Sequence, residues 1–209
     1  LVHAGVERTV QAWMVEMDQF ESMNLLALDN DNTRIGSGGY GYTSELPGDD
    51  YDPEWVQTRN MWGCSNAQIF SEVSPQMRWA FAVEHDHKWL ERFGLTYYGC
   101  CEPLDQSIDV IKRIPNLRKI STTPWANVPS MVEQVGTDYV LSRKPNPNVF
   151  ARDAFNPELA REQLVEFLDA SKGCHRELIM KDISTVRDEP QRLWQWADIA
   201  AEVVQDYAT

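Results

Sequence analysis

The chain has 209 residues, with 19 Lys and Arg against 32 Asp and Glu, which gives a net charge of −13 at pH 7. Nucleic acid is therefore not an expected partner, because proteins hold that polyanion mainly through a basic face. Hydrophobic residues make up 43% of the chain, which argues against intrinsic disorder. We predict a single α/β domain over residues 1–209.

The sequence also bears on the compartment. It contains no uncharged apolar run of about 18 residues and no basic-then-apolar leader, so we expect neither membrane insertion nor export. Four cysteines are too few for a disulfide framework in a chain of this length. We therefore expect a reducing, cytoplasmic location. Because the chain begins at Leu1, inside a predicted helix, we also expect it to be the later part of a longer protein.

The first third of the chain combines a helix, a strand and loops. Residues 5–21 predict an amphipathic helix, because their apolar side chains recur at helical spacing. The apolar run Leu25–Leu28 is typical of a buried parallel strand. Four glycines within 36–41 predict a loop, which we interpret as a mobile cover over a pocket. Helices are expected to begin at Pro53 and Pro75, each after a polar capping residue.

The rest of the chain alternates strands with helices. Short apolar runs followed by polar residues predict four more strands, at 95–98, 117–120, 138–141 and 177–180. Five strand–helix units predict a parallel sheet with right-handed crossovers. A closed (β/α)₈ TIM barrel takes eight units and about 250 residues. The chain is therefore either an open doubly wound sheet or an incomplete TIM barrel with about five C-terminal units.

In both architectures, reactive side chains gather at the carboxyl ends of the strands. This rule selects polar residues after each predicted strand, and Tyr40 of the glycine-rich loop adds contact area. The predicted catalytic residues are Glu102, Lys144, Lys181 and Asp182. The predicted substrate-binding residues are Asn30, Asp31, Asn32, Tyr40, Trp125 and Asn146. The predicted metal ligands are Cys100 and Cys101.

The adjacent thiols of Cys100 and Cys101 are the most distinctive local feature. Thiolates suit zinc or another soft metal, and Glu102 or Asp182 could add an oxygen ligand. The pair could equally be two small buried apolar residues, since free cysteine is among the most buried residue types. Two lysines, Lys144 and Lys181, could clamp an anionic substrate, or one could act as a base with a lowered pKa. Lys181 could instead form only an ion pair with Asp182.

Other residue types that can bind metals are interpreted as structural. His85 and His87 are two positions apart on a predicted helix, so they diverge and cannot share one ion. We expect the segment 84–87 to be a solvated helix face. Cys174 and His175 precede the last predicted strand, at the stability face of a barrel. Cys64 is expected in the core, near the end of a helix.

Several segments together resemble a branch of the uroporphyrinogen decarboxylase superfamily: 98–104, 117–121 with Pro124-Trp125, 144–147 and 181–185. The resemblance extends from about residue 20 to the end of the chain. It implies the later five units of a (β/α)₈ barrel with its site at the carboxyl face. The superfamily contains porphyrinogen decarboxylases and corrinoid-dependent, zinc-thiolate methyltransferases.

The chain departs from both branches of that superfamily. In the methyltransferases, a His-x-Cys motif at one strand end and a late-strand Cys bind zinc. Aligning Cys100 places Tyr98 at the His position, and Lys181-Asp182 stands where the late Cys would be. The zinc set is incomplete unless Cys101, Glu102 or Asp182 substitutes. The essential Asp and Arg residues of the decarboxylases come from the amino-terminal part of the barrel, so decarboxylation cannot be transferred residue by residue.

Three functional hypotheses follow. The first is a zinc-thiolate, corrinoid-linked, methyltransferase-like enzyme that acts on a small molecule with a corrinoid protein as partner. The second is a metal-independent decarboxylase of a porphyrinogen or another polycarboxylate. The third is a catalytically inert partial barrel, whose open strand edges are covered by homo-oligomerisation or by a missing N-terminal half.

Overall fold

The computed structural model describes residues 1–208. The helices are α1 Val2–Ser22, α2 Pro75–Arg78, α3 Glu84–Leu90, α4 Ile108–Ile111, α5 Val128–Val135, α6 Asn148–Ala151, α7 Pro157–Ala170 and α8 Gln191–Asp206. The strands are β1 Arg34–Ile35, β2 Gly39–Tyr40, β3 Trp62–Ser65, β4 Leu95–Tyr98, β5 Leu117–Thr122, β6 Val140–Arg143 and β7 His175–Leu178. Two short 3₁₀ turns and a π-helical turn complete the elements; the π turn joins α2 to α3.

The centre of the fold is a five-stranded parallel sheet with the order β3-β4-β5-β6-β7. Strands that are consecutive in the chain are neighbours in the sheet. The order therefore lacks the reversal that creates the switch point of a doubly wound sheet. The prediction of an α/β fold with five parallel strands and helical crossovers is confirmed.

The identity of the first strand was predicted wrongly. Residues Leu25–Leu28 form no strand, and β3 takes the first place in the sheet. β3 contains a glycine and a serine among its four residues and carries little strand signal of its own. It forms because it pairs with β4 and because Asp29 accepts the backbone N–H of Trp62 at 3.1 Å.

The two proline-initiated helices differ in outcome. At Pro75 the helix is confirmed, and the Ser74 hydroxyl caps it by accepting the backbone N–H of Met77 at 3.3 Å. At Pro53 no helix forms. The chain makes a single turn there, closed by the backbone N–H of Trp55 to the carbonyl of Asp52 at 3.0 Å.

Helices cover one face of the sheet, which we call the outer face. Its strand residues include Tyr98, Ile120 and Leu141, which lie in one buried cluster with Leu164 and Phe167 of α7. These side chains are at most 2% exposed. Burying an aliphatic or aromatic side chain of this size stabilises a fold by about 1.5–3 kcal/mol, so this cluster anchors the strand positions.

The glycine-rich segment covers the opposite, inner face. Residues Ile35 and Leu46 pack there with Trp62, Leu95 and Tyr97. A Cβ at Gly39 would lie 2.8 Å from the Tyr97 ring, so only glycine permits this contact. The hairpin of β1 and β2 is held at both ends: the Ser37 hydroxyl donates to the Gly99 carbonyl at 2.8 Å, and the Lys119 amine donates to the Tyr40 carbonyl at 2.6 Å.

The expectation of a solvated helix face at residues 84–87 was wrong for two of its members. His85 and Asp86 are 7% and 6% exposed. The helix α1 packs across α3 beside His85, whereas the Asp86 side chain contacts Ser65 of β3 and Trp89. The His85 ring contacts the Glu7 carboxylate at 3.0 Å. In the described part of the chain, no helix is long and apolar enough to cross a membrane.

A thiol–amine site at the carboxyl edge of the sheet

The cysteine loop after β4 is held in shape by Glu102. Its two carboxylate oxygens accept the backbone N–H groups of Cys100, at 2.9 Å, and Ala67, at 3.1 Å. Glu102 is 1% exposed. Because each oxygen accepts a backbone N–H from a different loop, this carboxylate positions the loops after β3 and β4.

Two side chains of the cysteine loop, Cys100 and Cys101, meet Lys181 and Asp182 of the loop after β7. The sulfurs of Cys100 and Cys101 lie 3.5 Å apart, and the Cys101 thiol donates to Asp182 Oδ2 at 3.3 Å. The Lys181 amine lies 3.7 Å from the Cys100 sulfur, 3.8 Å from the Cys101 sulfur and 3.4 Å from Asp182 Oδ2. Together with Lys144, which lies beneath them, we call these residues the thiol–amine site.

The protonation states at this site follow from burial and from the neighbouring charges. Partial burial raises the pKa of Cys101 to about 11, assisted by its hydrogen bonds with Cys100 and Asp182. Burial opposes the charge on Lys181, but the two cysteine sulfurs, when deprotonated, and the Asp182 carboxylate outweigh burial and raise the pKa of Lys181 above its ordinary value. At neutral pH the Cys101 sulfur is therefore a thiol, and Lys181 is an ammonium ion.

The Lys144 amine belongs to a buried network of hydroxyl groups. It donates to Tyr97 Oη at 2.6 Å and to Ser121 Oγ, and Ser121 Oγ donates to the Cys100 carbonyl at 2.6 Å. Burial lowers the pKa of Lys144 to about 8, and the Lys181 charge adds to the effect. Lys144 therefore exchanges its proton close to neutral pH, immediately below the cysteine loop.

Two members of this network, Tyr97 and Ser121, were not among the predicted site residues. The period-two alternation of the strands could have indicated Tyr97, since it points to the opposite face from Tyr98, which lies in the outer-face core. Ser121 lies one residue past the predicted end of its strand, which extends to Thr122.

Other predicted residues lie elsewhere. No strand precedes the segment 30–32, which contains Asn30, Asp31 and Asn32. The residue before this segment, Asp29, accepts the first backbone N–H of β3, that of Trp62. The segment therefore lies at the amino edge of the sheet, where Asn30 donates to the Leu46 carbonyl at 2.6 Å. The expectation that these three residues line a carboxyl-edge pocket was wrong, because it depended on the misplaced first strand.

Three further predicted residues lie outside the thiol–amine site. The Tyr40 carbonyl binds Lys119, and its side chain is 38% exposed. Asn146 lies just before α6, where its side-chain carbonyl accepts the backbone N–H of Asn148 at 3.0 Å. Trp125 is 68% exposed after β5.

The ligand types and the sulfur–sulfur distance at this site can be set against those of a tetrahedral zinc site. With Zn–S bonds of about 2.3 Å, two thiolates on one tetrahedral zinc lie about 3.8 Å apart, and the sulfurs here lie 3.5 Å apart. The carboxylate of Asp182 supplies an oxygen donor beside Cys101. Within residues 1–208, however, no group of three or more His, Cys, Asp or Glu side chains is arranged as a complete metal site. The thiol pair thus fits zinc as two of its ligands, and the Lys181 ammonium lies where a metal would compete with it.

Comparison with known proteins does not assign a family. No protein-family model matches the chain, and no curated protein resembles it at a significant level. The functional interpretation therefore depends on the geometry of the thiol–amine site.

Proposed function

We propose that this chain carries the thiolate centre of a methyltransferase-like enzyme of the uroporphyrinogen decarboxylase superfamily. The observation that carries the proposal is the pair of sulfurs at 3.5 Å, with the Lys181 amine within 3.8 Å of both. A cation held next to two thiols favours their deprotonated forms. Methyl transfer to sulfur uses the thiolate as the nucleophile, and in the reverse direction the thiolate is the leaving group.

The barrel assignment is part of the same proposal. Sequential strand order, with the core helices on the outer face, is what about five consecutive units of a (β/α)₈ barrel would have. In such a barrel the inner face would line the interior, and the carboxyl edge would hold the active site. The thiol–amine site lies at that edge.

Zinc is the cofactor that this donor set would take, with Cys100 and Cys101 as thiolate ligands and Asp182 as an oxygen ligand. When bound, zinc would keep the sulfurs deprotonated at neutral pH, which a pKa of about 11 for Cys101 otherwise prevents. Lys181 must then withdraw from the sulfurs. Its amine would be free to hold an anionic group of the substrate.

The buried Lys144 supplies a second function in this proposal. Its pKa of about 8 lets it hold or release a proton near neutral pH, and Tyr97 and Ser121 orient its amine. A corrinoid-carrying protein is the proposed partner that exchanges the methyl group.

Zinc stoichiometry tests the proposal. The wild-type protein, purified and dialysed against zinc and then against metal-free buffer, is expected to retain about one zinc per chain. Cys100→Ser and Cys101→Ser should lose it, whereas Cys174→Ser, which changes another half-buried thiol at the amino edge, should keep it. Lys181→Met should bind zinc more tightly than wild type, because a competing cation is removed. Absence of stoichiometric zinc from every sample would reject the zinc–thiolate function.

A second function is favoured by the presence of two amines at one edge. Burial lowers the pKa of Lys144, and the nearby charge of Lys181 lowers it further. Two neighbouring amines are a suitable anchor for a polycarboxylate. We propose metal-independent decarboxylation of a porphyrinogen or a similar polycarboxylate as the alternative. Carbon dioxide release from uroporphyrinogen that persists in chelator and is lost in Lys144→Met would support it, and release only with zinc present would not.

The outer edges of β3 and β7 motivate the third possibility. Neither edge is paired with another strand of the described chain, and unpaired edges favour association. We propose self-association of the isolated chain through these edges. Size-exclusion chromatography with light scattering should show an oligomer, and a monomer stable over a wide range of concentration would contradict this.

A further inference from the structure

Two histidines, one on α1 and one on α3, meet in a cluster of polar side chains that joins these helices. The Nδ1 atom of His3 lies 3.4 Å from Nε2 of His85. On its other side, the His85 ring contacts the Glu7 carboxylate through Nδ1 at 3.0 Å, and Lys88 donates to the same oxygen at 2.6 Å. His3 and Glu7 are four positions apart on α1 and therefore share one face of that helix. We call His3 and His85 the histidine pair; neither belongs to the thiol–amine site.

The Glu7 carboxylate fixes which nitrogen of His85 is free to bind a ligand. Hydrogen bonds from Lys88 and then His85 lower the pKa of Glu7, so Glu7 is ionised at neutral pH and can only accept. The hydrogen of the 3.0 Å contact is therefore on His85 Nδ1. In the neutral ring, Nε2 then carries the lone pair, and it is directed towards His3. His85 is buried and held in place, whereas His3 is exposed and its ring can adjust.

The distance between the two ring nitrogens matches that of two imidazoles on one metal ion. With Zn–N bonds of about 2.0–2.1 Å, two nitrogens on a tetrahedral zinc lie about 3.4 Å apart, and the nitrogens of the histidine pair lie 3.4 Å apart. This separation is long for a hydrogen bond from a ring N–H, since N–H···O distances mostly lie at about 2.7–3.2 Å. Histidines that bind metals also commonly donate their second N–H to a carboxylate, which orients the ring and makes it more basic. Glu7 has this position beside His85.

We propose that His3 and His85 bind a divalent transition-metal ion of the zinc class, with Glu7 as the outer carboxylate partner of His85. Imidazole nitrogen suits zinc, copper and nickel, whereas magnesium and calcium take oxygen ligands. The protein supplies two ligands, so water completes the coordination and the site binds more weakly than a complete structural zinc site. Because the two histidines are 82 positions apart in the chain, the bound ion ties α1 to α3.

Calorimetric titration with zinc tests the site on the full chain carrying Cys100→Ser and Cys101→Ser, so that the thiols do not contribute. This double variant should bind about one zinc per chain and should not bind magnesium at the same concentrations. Adding His3→Ala, which changes an exposed side chain, should weaken zinc binding at least tenfold. His87→Ala and His175→Ala are the matched controls and should leave it unchanged, since His87 pairs with Glu91 of its own helix and His175 lies in β7.

Two further measurements locate the ion. Nitrogen-15 NMR of the four imidazoles should show zinc-dependent shifts for His3 and His85, and none for His87 and His175. Glu7→Gln should weaken zinc binding about tenfold, because the outer partner loses its charge.

Three results would overturn the assignment: no zinc binding by the double cysteine variant, undiminished binding after His3→Ala, or an equal loss after His87→Ala. Unchanged binding in Glu7→Gln would remove Glu7 from the site. The histidine pair should release its zinc during dialysis against metal-free buffer, so zinc retained there reports the thiol–amine site alone. Failure of the thiolate function and failure of this site are therefore distinguishable.

Discussion

Partial burial, together with hydrogen bonds to Cys100 and Asp182, predicts an unreactive Cys101 thiol, and substitution of Asp182 should make it more reactive. With a pKa of about 11 for Cys101, roughly 10⁻⁴ of this residue is thiolate at pH 7, against about 3% for an unperturbed cysteine. The thiolate is the species that alkylates. Without metal, wild-type Cys101 should therefore react about 300-fold more slowly at pH 7 than an ordinary cysteine.

Asp182→Asn removes the anionic acceptor that stabilises the protonated thiol. The pKa of Cys101 should fall, and its alkylation rate at pH 7 should rise several-fold, up to about tenfold, since burial still accounts for the largest part of the shift. Lys181→Met should raise the pKa of Cys101 and slow its alkylation, because it removes the cation that favours the thiolate.

Iodoacetamide labelling in chelator between pH 6 and 11 measures these rates. Fragmentation mass spectrometry separates Cys100 from Cys101, and Cys174, which precedes β7 at the amino edge, serves as an internal reference. The reasoning is refuted if wild-type Cys101 titrates near pH 8.5, or if Asp182→Asn slows its labelling while Cys174 is unaffected.

Three further predictions concern stability and are measured by urea unfolding. Gly99→Ala should destabilise the protein by about 1–3 kcal/mol more than Gly136→Ala: both glycines have positive φ, but a Cβ at Gly99 would lie 2.6 Å from Leu104, whereas at Gly136 it meets nothing within 4 Å. Equal losses would contradict the steric argument. Burial raises the pKa of Asp86 to about 7 in the native state, so the native state holds this proton more tightly than the unfolded chain. The free energy of unfolding should therefore fall by up to about 4 kcal/mol as the pH rises from about 4 to 7. Asp86→Asn should flatten that pH dependence. An unchanged slope in the variant would assign the pH dependence to other groups. Ile120→Ala, in the fully buried outer-face core, should cost about 2–5 kcal/mol, and a loss under 1 kcal/mol would show that the cluster does not anchor β5.

Comparison of the sequence with the structure separates what local patterns predict from what they miss. The end of β4 was predicted correctly from its apolar run and polar terminus, whereas the predicted ends at 141 and 180 each lie two residues from the observed ends of β6 at Arg143 and β7 at Leu178. The residue before Pro75 was predicted as a helix cap, and the Ser74 side chain accepts the Met77 backbone N–H at 3.3 Å. These features depend on a few neighbouring residues. The convergence of Cys100, Lys144 and Asp182 then followed from one rule, because parallel strands bring their carboxyl ends to one edge.

What the sequence by itself determined is therefore the alternation of strands and helices and the group of thiols, amines and carboxylate at one edge. The tertiary structure alone decided that β3 replaces Leu25–Leu28, that Asp86 is buried, and that Arg78 is buried with two guanidinium nitrogens unpartnered within the described chain. The physical reason is that these features depend on contacts between residues far apart in the sequence. A strand as short as β3 gains its stability from pairing with β4 and from Asp29, 33 positions before Trp62, and burial of a charge depends on which distant helix covers it.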